Sequence, residues 1–244
     1  MRNLVIVIEY DGSGFCGWQS QKNGITIQDQ VQKALKSVLN EDVILTASGR
    51  TDEGVHAKGQ VANFYTENPI KCYKLPLGAN LLLAPKIAIK ECYETDLNFN
   101  ARKSAVKKTY CYRIYMSATP SPLRDRTYFQ TYRQLDIKKM KEAATYFIGI
   151  HDFVGFMATG SNSFTTIREI YSCEIINIGD SVEIYVCGNA FLYNMVRIIA
   201  GTLLAVGQNR IKPNEISAII ESKDRKRAGK TLLAKGLTLE SVEY

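Results

Sequence analysis

Apolar positions along this chain recur with two different spacings, and the switches between them mark the elements. Short runs such as Leu4 to Ile8, Val43 to Ala47 and Val61 to Tyr65 read as strands. Between them, residues 27–39 carry apolar positions at helical spacing, and Thr26 with Asp29 resembles a capping box at the first turn. Carried through the first part, the pattern predicts a strand over 3–10, a helix over 27–39, strands over 43–48 and 60–66, a helix over 73–83 and a strand over 86–94. The second part predicts a strand over 107–116, a helix over 136–148, strands over 164–177 and 181–188, a helix over 191–206 and a last strand over 237–243. Asn189 is the expected N-cap of the 191–206 helix and Gly207 its C-terminal stop. That helix is apolar nearly all round, so it should be buried.

The same order, β-α-β-β-α-β, therefore occurs twice. It is the order of the ferredoxin-like split βαβ unit. The expected fold class is α+β, with two ferredoxin-like halves forming a mainly antiparallel sheet that carries its helices on one face. The expected division is an N-terminal half, 1–102, and a C-terminal half, 103–244. The RNA-recognition module uses this element order, and the open face would be free to hold RNA.

Charge sharpens that picture. The 244 residues carry a net charge of +7. Residues 1–100 hold 10 Lys+Arg against 11 Asp+Glu, and residues 101–244 hold 21 against 13, so the excess lies in the second part. It concentrates in Arg102, Lys103, Lys107, Lys108 and Arg113, and again in Lys223, Arg225, Lys226, Arg227 and Lys230. Such clusters are either the footprint of a phosphate backbone or a solvated face. The six cysteines are scattered without a CxxC pair, and with two histidines they suggest reduced structural thiols and no zinc site. The run after Met1 is too short for a signal h-region, and no stretch approaches a membrane-spanning length. A cytoplasmic protein is the expectation.

Three segments carry candidate chemistry. The first is the connection Gly49-Arg50-Thr51-Asp52-Glu53-Gly54-Val55-His56-Ala57, where Asp52 is a nucleophile, a general base or a turn cap. The second is Lys107-Lys108-Thr109-Tyr110-Cys111-Tyr112-Arg113, in which alternation puts Tyr110 and Tyr112 on one face. Aromatic residues among basic ones make a stacking platform for bases, and the competing reading is a strand buried in the core. The third is Phe191 to Arg197, which places Arg197 in the middle of a buried helix. A buried guanidinium needs a carboxylate, because removing the partner of such a charge costs roughly 3–5 kcal/mol. Asp52 is one candidate partner; Glu169 and Glu174 are others.

These three segments, with Tyr10-Asp11-Gly12-Ser13-Gly14-Phe15-Cys16-Gly17-Trp18-Gln19 and His151-Asp152-Phe153, resemble the tRNA pseudouridine synthase A family, in order and over about residues 4–243. The resemblance implies the pseudouridine synthase fold and an isomerase that converts uridine to pseudouridine at positions 38–40 of the tRNA anticodon stem-loop, without cofactor or metal. It implies Asp52 as catalytic nucleophile, Tyr110 stacking on the target uracil, Arg197 pairing with the catalytic Asp, and Arg50 holding the extruded nucleotide. His56 would order the loop or contact RNA. The family's members are homodimers, and tRNA is the partner. The chain departs from the family pattern at Asn100, where a His is usual, and at Lys86, where an Asp is usual. Both departures bear on RNA contacts rather than on the Asp–Tyr–Arg set. Two other functions stay open: a relative of the same family with a different RNA or position specificity, and a non-catalytic RNA-binding protein.

Overall fold

The computed structural model describes residues 1–160 and 164–244. In chain order its elements are β1 (Arg2–Tyr10), α1 (Ile27–Leu39), β2 (Thr46–Ala47), β3 (His56–Thr66), α2 (Lys74–Leu83), β4 (Ile87–Thr95), β5 (Lys107–Met116), β6 (Phe129–Thr131), α3 (Ile137–Thr145), β7 (Gly149–Asp152), β8 (Ile167–Ile178), β9 (Ser181–Gly188), α4 (Met195–Gly207), α5 (Glu215–Glu221) and β10 (Leu237–Glu243). They form two units, Met1–Val106 with Thr238–Tyr244, and Lys107–Leu237.

In the first unit the strands run in the order β4-β1-β3-β10, with β2 against β3. β1 is antiparallel to both β3 and β4. Leu4, Val5, Ile6 and Ile8 are all fully buried, so both faces of β1 are covered. One face packs Val5 with Val61, Ala101 and the partly buried Phe99 and Val242. On the helical layer α1 packs on α2, and α2 on β4. α1 starts as its sequence suggests: the Thr26 hydroxyl accepts from the Asp29 amide and donates to the Asp29 carboxylate at 2.6 Å. β2 is shorter than the apolar run 43–48 because side chains from α1 take its backbone. Gln32 Oε1 accepts from the Leu45 amide, and Gln28 Nε2 donates to the Leu45 carbonyl. β3 begins at His56, earlier than the alternation suggests. The sequence assigns the last strand to the second half; β10 pairs in parallel with β3, Thr238 opposite His56, and Val242 joins the Val5 cluster, so Thr238–Tyr244 belongs to the first unit.

In the second unit β5-β9-β8-β7 form antiparallel pairs, and β6 lies parallel to β5. α3 packs on α4 and β8, and α4 also reaches β5. The mainly antiparallel α+β class is therefore the one observed. α4 is buried as expected, with Ile198, Ile199, Ala200 and Leu203 fully enclosed. Its start is not the expected one. Asn189 caps a turn instead, accepting from the Ala190 and Glu169 amides, and the helix opens at Met195 after Asn194 in a left-handed conformation, φ 62°. Asn tolerates that conformation better than most residues, which ends the irregular stretch and turns the chain into the helix. Arg197 consequently sits in the first turn of α4 and not in its middle.

Candidate active site

Asp52 sits, half-buried, on the connection between β2 and β3. The Val55 amide donates to the Asp52 carbonyl at 3.1 Å, closing a tight turn over 52–55. Gly54, at φ 76°, occupies the third position, where a type II turn demands a positive φ. The turn is thus closed by the backbone of Asp52.

Both flanks of that turn are tied down. On the N-terminal side the buried Gln60 donates to the Gly49 carbonyl at 2.9 Å and accepts from the Ser48 hydroxyl at 2.7 Å. The Trp18 amide donates to the Thr51 carbonyl at 3.0 Å, and the Tyr10 and Thr51 hydroxyls share a hydrogen bond of 2.8 Å. Burial pushes the Tyr10 phenol well above its ordinary pKa, against its bonds to Thr51 and Gln60, so it keeps its proton. On the C-terminal side His56, only 4% exposed, accepts the Gly12 amide on Nδ1 at 3.1 Å. The Asp11 carboxylate stands 3.2 Å from the same nitrogen. Gly12 approaches so closely that a Cβ there would lie 2.1 Å from the Val55 carbonyl oxygen. Residues 10–18 therefore form a brace against the loop. Sequence alone marks the block by family resemblance and assigns it no mechanical role; its glycines are the available signal for close approach.

Arg50 is exposed, and its Nε donates to Gln19 Oε1 at 3.1 Å. Lys86, at one of the two departures, donates to the Ser13 carbonyl at 2.9 Å and lies 5.7 Å from the centre of the Phe15 ring. Asn100, at the other, accepts from the Arg102 and Lys103 amides at 3.0 Å each and so stabilises a turn.

In the second unit Tyr110 is half-buried on β5, with its ring edge-on to Phe191 at 5.2 Å. Tyr112 belongs to the core: it is fully enclosed, its hydroxyl donates to the Leu233 carbonyl at 2.7 Å, and burial pushes its phenol up against the pull of the Arg197 charge. Arg197 is half-buried, donating through Nε to the Leu232 carbonyl at 2.7 Å and through Nη1 to Asn194 Oδ1 at 2.5 Å. The left-handed Asn194 is what turns that acceptor towards it.

The basic clusters divide. Arg102 and Lys103 are exposed. Arg113 is 7% exposed and pairs with Glu183 Oε1 at 2.9 Å, so it is a core ion pair. In the second cluster Lys223 pairs with Asp152 at 2.8 Å, and Arg225 folds back on the Gly229 carbonyl and the Thr231 hydroxyl, both at 2.9 Å. Lys226 and Lys230 are exposed. Asp152 also accepts from the Thr166 hydroxyl at 2.6 Å; Lys223 first, then Thr166, hold its carboxyl below the usual range. The His151–Asp152–Phe153 block thus organises its own loop, with His151 edge-on to Phe153.

Among the described residues no three His, Cys, Asp or Glu side chains converge to hold a metal ion, and no helix is long and apolar enough to cross a membrane.

A family model described as tRNA pseudouridine synthase matches residues 6–102 and 143–244. Arg50, Asp52 and Arg197 lie within that match and Tyr110 outside it. The chain is 48% identical, over 100% of both chains, to a protein of Caldicellulosiruptor bescii named tRNA pseudouridine synthase A. It is 46% identical to a protein of the same name from Acetivibrio thermocellus, again over 100% of both. It is 43% identical, with the same full coverage, to tRNA pseudouridine synthase A 2 of Clostridium perfringens. Similarity of this extent, along the whole chain, places the chain in the tRNA pseudouridine synthase family.

Proposed function

We propose that this isomerase acts on uridines on the 3′ side of the tRNA anticodon stem-loop, with Asp52 as its nucleophile. Uridine and pseudouridine are isomers. The bond from C1′ to N1 breaks, the uracil turns, a bond from C1′ to C5 forms, the C5 proton leaves and N1 takes one up. A carboxylate that attacks the nucleotide must be held in place before the substrate arrives, because effective molarity depends on orientation. The observation that carries the reading is the brace: Thr51 and His56, on either side of Asp52, are fixed by buried polar contacts from residues 10–18, while Asp52 itself is only half-buried.

Tyr110 stacks on the target base, for which its half-buried ring on β5 is suited. Arg50, exposed at the loop surface, holds the nucleotide once it has left the stem and offsets part of the few kcal/mol of unstacking. Arg197 supplies positive charge to the reacting groups. Arg102, Lys103, Lys226 and Lys230 are exposed cations available to phosphates. The protein works in the cytoplasm as a homodimer.

Tritium release from C5-labelled uridine in unmodified tRNA tests this directly. The wild type should release tritium, Asp52→Asn should release none while still binding tRNA, and mapping should place the product in the anticodon stem-loop. A product elsewhere would favour a second reading, a family member with another position specificity. The Clostridium perfringens relative carries a name ending in "A 2", and Lys86 and Asn100 both depart from the usual pattern.

A further inference from the structure

We infer that Cys72 and Cys92 form a reactive dithiol site in the first unit, one that exchanges with small disulfides and closes to an intramolecular disulfide. Antiparallel pairing sets Leu4 opposite Glu94 and Ile6 opposite Cys92. Directly opposed residues share a face, and so do alternate residues along a strand, so Arg2, Leu4, Ile6, Cys92 and Glu94 lie on one side of the sheet. Leu4 and Ile6 are fully buried. Cys72 arrives from the turn that precedes α2, a helix packed on β4.

Arg2 organises the place. Its Nη1 donates to the Asn68 and Ile70 carbonyls at 3.0 and 2.8 Å, which fixes the approach to Cys72. Its Nε and Nη2 hold Glu94 at 3.0 and 2.9 Å, and Nη2 also reaches Cys72 Sγ at 3.7 Å. Cys72 lies near enough to Cys92 to raise its thiol, and both are half-buried, open in part to a small reagent. Cys111 and Cys173 are buried, Cys173 with its thiol pushed up to about 12 by loss of solvent. None of the residues proposed for the isomerisation belongs to this site.

The exchange balances without any further reagent. The sulfur of Cys72, beside a guanidinium, attacks a small disulfide RSSR, and one RS⁻ leaves. Burial first, then the neighbouring Cys72, push Cys92 up to about 12, so Cys92 stays a thiol until this step. It then gives up its proton and attacks Cys72 of the mixed disulfide, expelling the second RS⁻. Two protein thiols become one disulfide, two electrons pass to RSSR, and the two protons end on two RSH. The product links the start of α2 to β4.

Oxidised glutathione is the probe, applied to the intact wild-type protein, with thiol counting and peptide mapping as the readout. Two of the six thiols should be lost together, reversibly with dithiothreitol, and one cross-linked peptide should join 72 to 92. In Cys92→Ser the cross-link should vanish and Cys72 should carry one glutathione, and in Cys72→Ser the cross-link should vanish with Cys92 left as a thiol. A full complement of thiols after oxidation would overturn the site, as would a cross-link through Cys16 or Cys187 or equal glutathionylation of all the half-buried cysteines. The wild-type mapping decides the matter even if a variant fails to fold. Tritium release does not enter it, so it stands or falls apart from the proposed function.

Discussion

His56 Nδ1 accepts the Gly12 amide at 3.1 Å, and this bond joins the two segments that meet at the Asp52 turn. His56→Ala should leave the buried Gly12 amide without an acceptor and cost about 1–3 kcal/mol. Its kcat for tRNA should fall more than its KM changes, since a side chain only 4% exposed acts by positioning the loop. Asn at this position offers an oxygen close to where Nδ1 stood, so His56→Asn should recover much of both losses. Urea denaturation and steady-state kinetics on the three proteins check this; equal kcat in His56→Ala and wild type would remove the positioning role.

Asp11 gives the same joint a pH dependence. Burial raises its carboxyl, but the Ser13 amide and hydroxyl, with the Lys86 charge, outweigh that and hold it below the usual value. A depressed carboxyl stabilises the fold fully above its unfolded value, about 3.9, and that contribution is lost as pH falls through the lower folded value. The gap in denaturation midpoint between wild type and Asp11→Asn should therefore be constant from neutral pH down to about 5 and close in stronger acid. A gap that widens on acidification would contradict the assignment.

Tyr10 reaches Thr51 from the opposite side, at 2.8 Å and with its ring buried. Tyr10→Phe keeps the packing and removes the hydroxyl. A loss of about 1 kcal/mol is expected from the missing bond. Slower tritium release at unchanged tRNA affinity should accompany it. Isothermal binding measurements beside the release assay separate the two effects.

How far the sequence carried the reading depends on where each partner lies. β9 and β10 fall at Ser181–Gly188 and Leu237–Glu243, as their alternation indicated, and Thr26 marked the start of α1. These are local signals. Arg113 counts among the surface charge of the sequence because its partner, Glu183, lies across a strand pair 70 residues away, and charge counts carry no information about such pairing. The start of α4 was misplaced because Phe191 to Asn194 continue the apolar pattern, whereas a single left-handed residue decides where the helix begins. Asp52 was legible as a loop carboxylate. The contacts that hold its loop were not, since two of them come from the backbone of Gly12 and Trp18 and the others join residues distant in sequence, which a sequence does not display.

Arg113 and Glu183 offer a test of that core pair. Arg113→Ala leaves a carboxylate that is largely enclosed, with the Tyr185 hydroxyl donating to it at 2.7 Å, and should destabilise by about 3–5 kcal/mol. Replacing both partners by apolar side chains of similar size, Arg113→Met with Glu183→Leu, should recover most of the loss, because neither charge then remains to be desolvated. A double variant no more stable than Arg113→Ala would mean that the guanidinium matters through its packing rather than its charge.

Arg50 is the complementary case, a cation whose loss the fold should barely feel. It is exposed, and its Nε donates to Gln19, itself exposed. Arg50→Ala should shift stability by no more than about 0.5 kcal/mol. In the role proposed for it, a side chain that holds an extruded nucleotide offsets unstacking, so its removal should cost turnover on folded tRNA. On a short single-stranded RNA carrying the same uridine there is less stacking to break, and the deficit should shrink. Raising the salt weakens binding of wild type and variant alike, with a slightly shallower slope for the variant if Arg50 also neutralises a phosphate. An equal deficit on structured and unstructured RNA would show that Arg50 acts on the reacting uridine itself and not on the cost of exposing it.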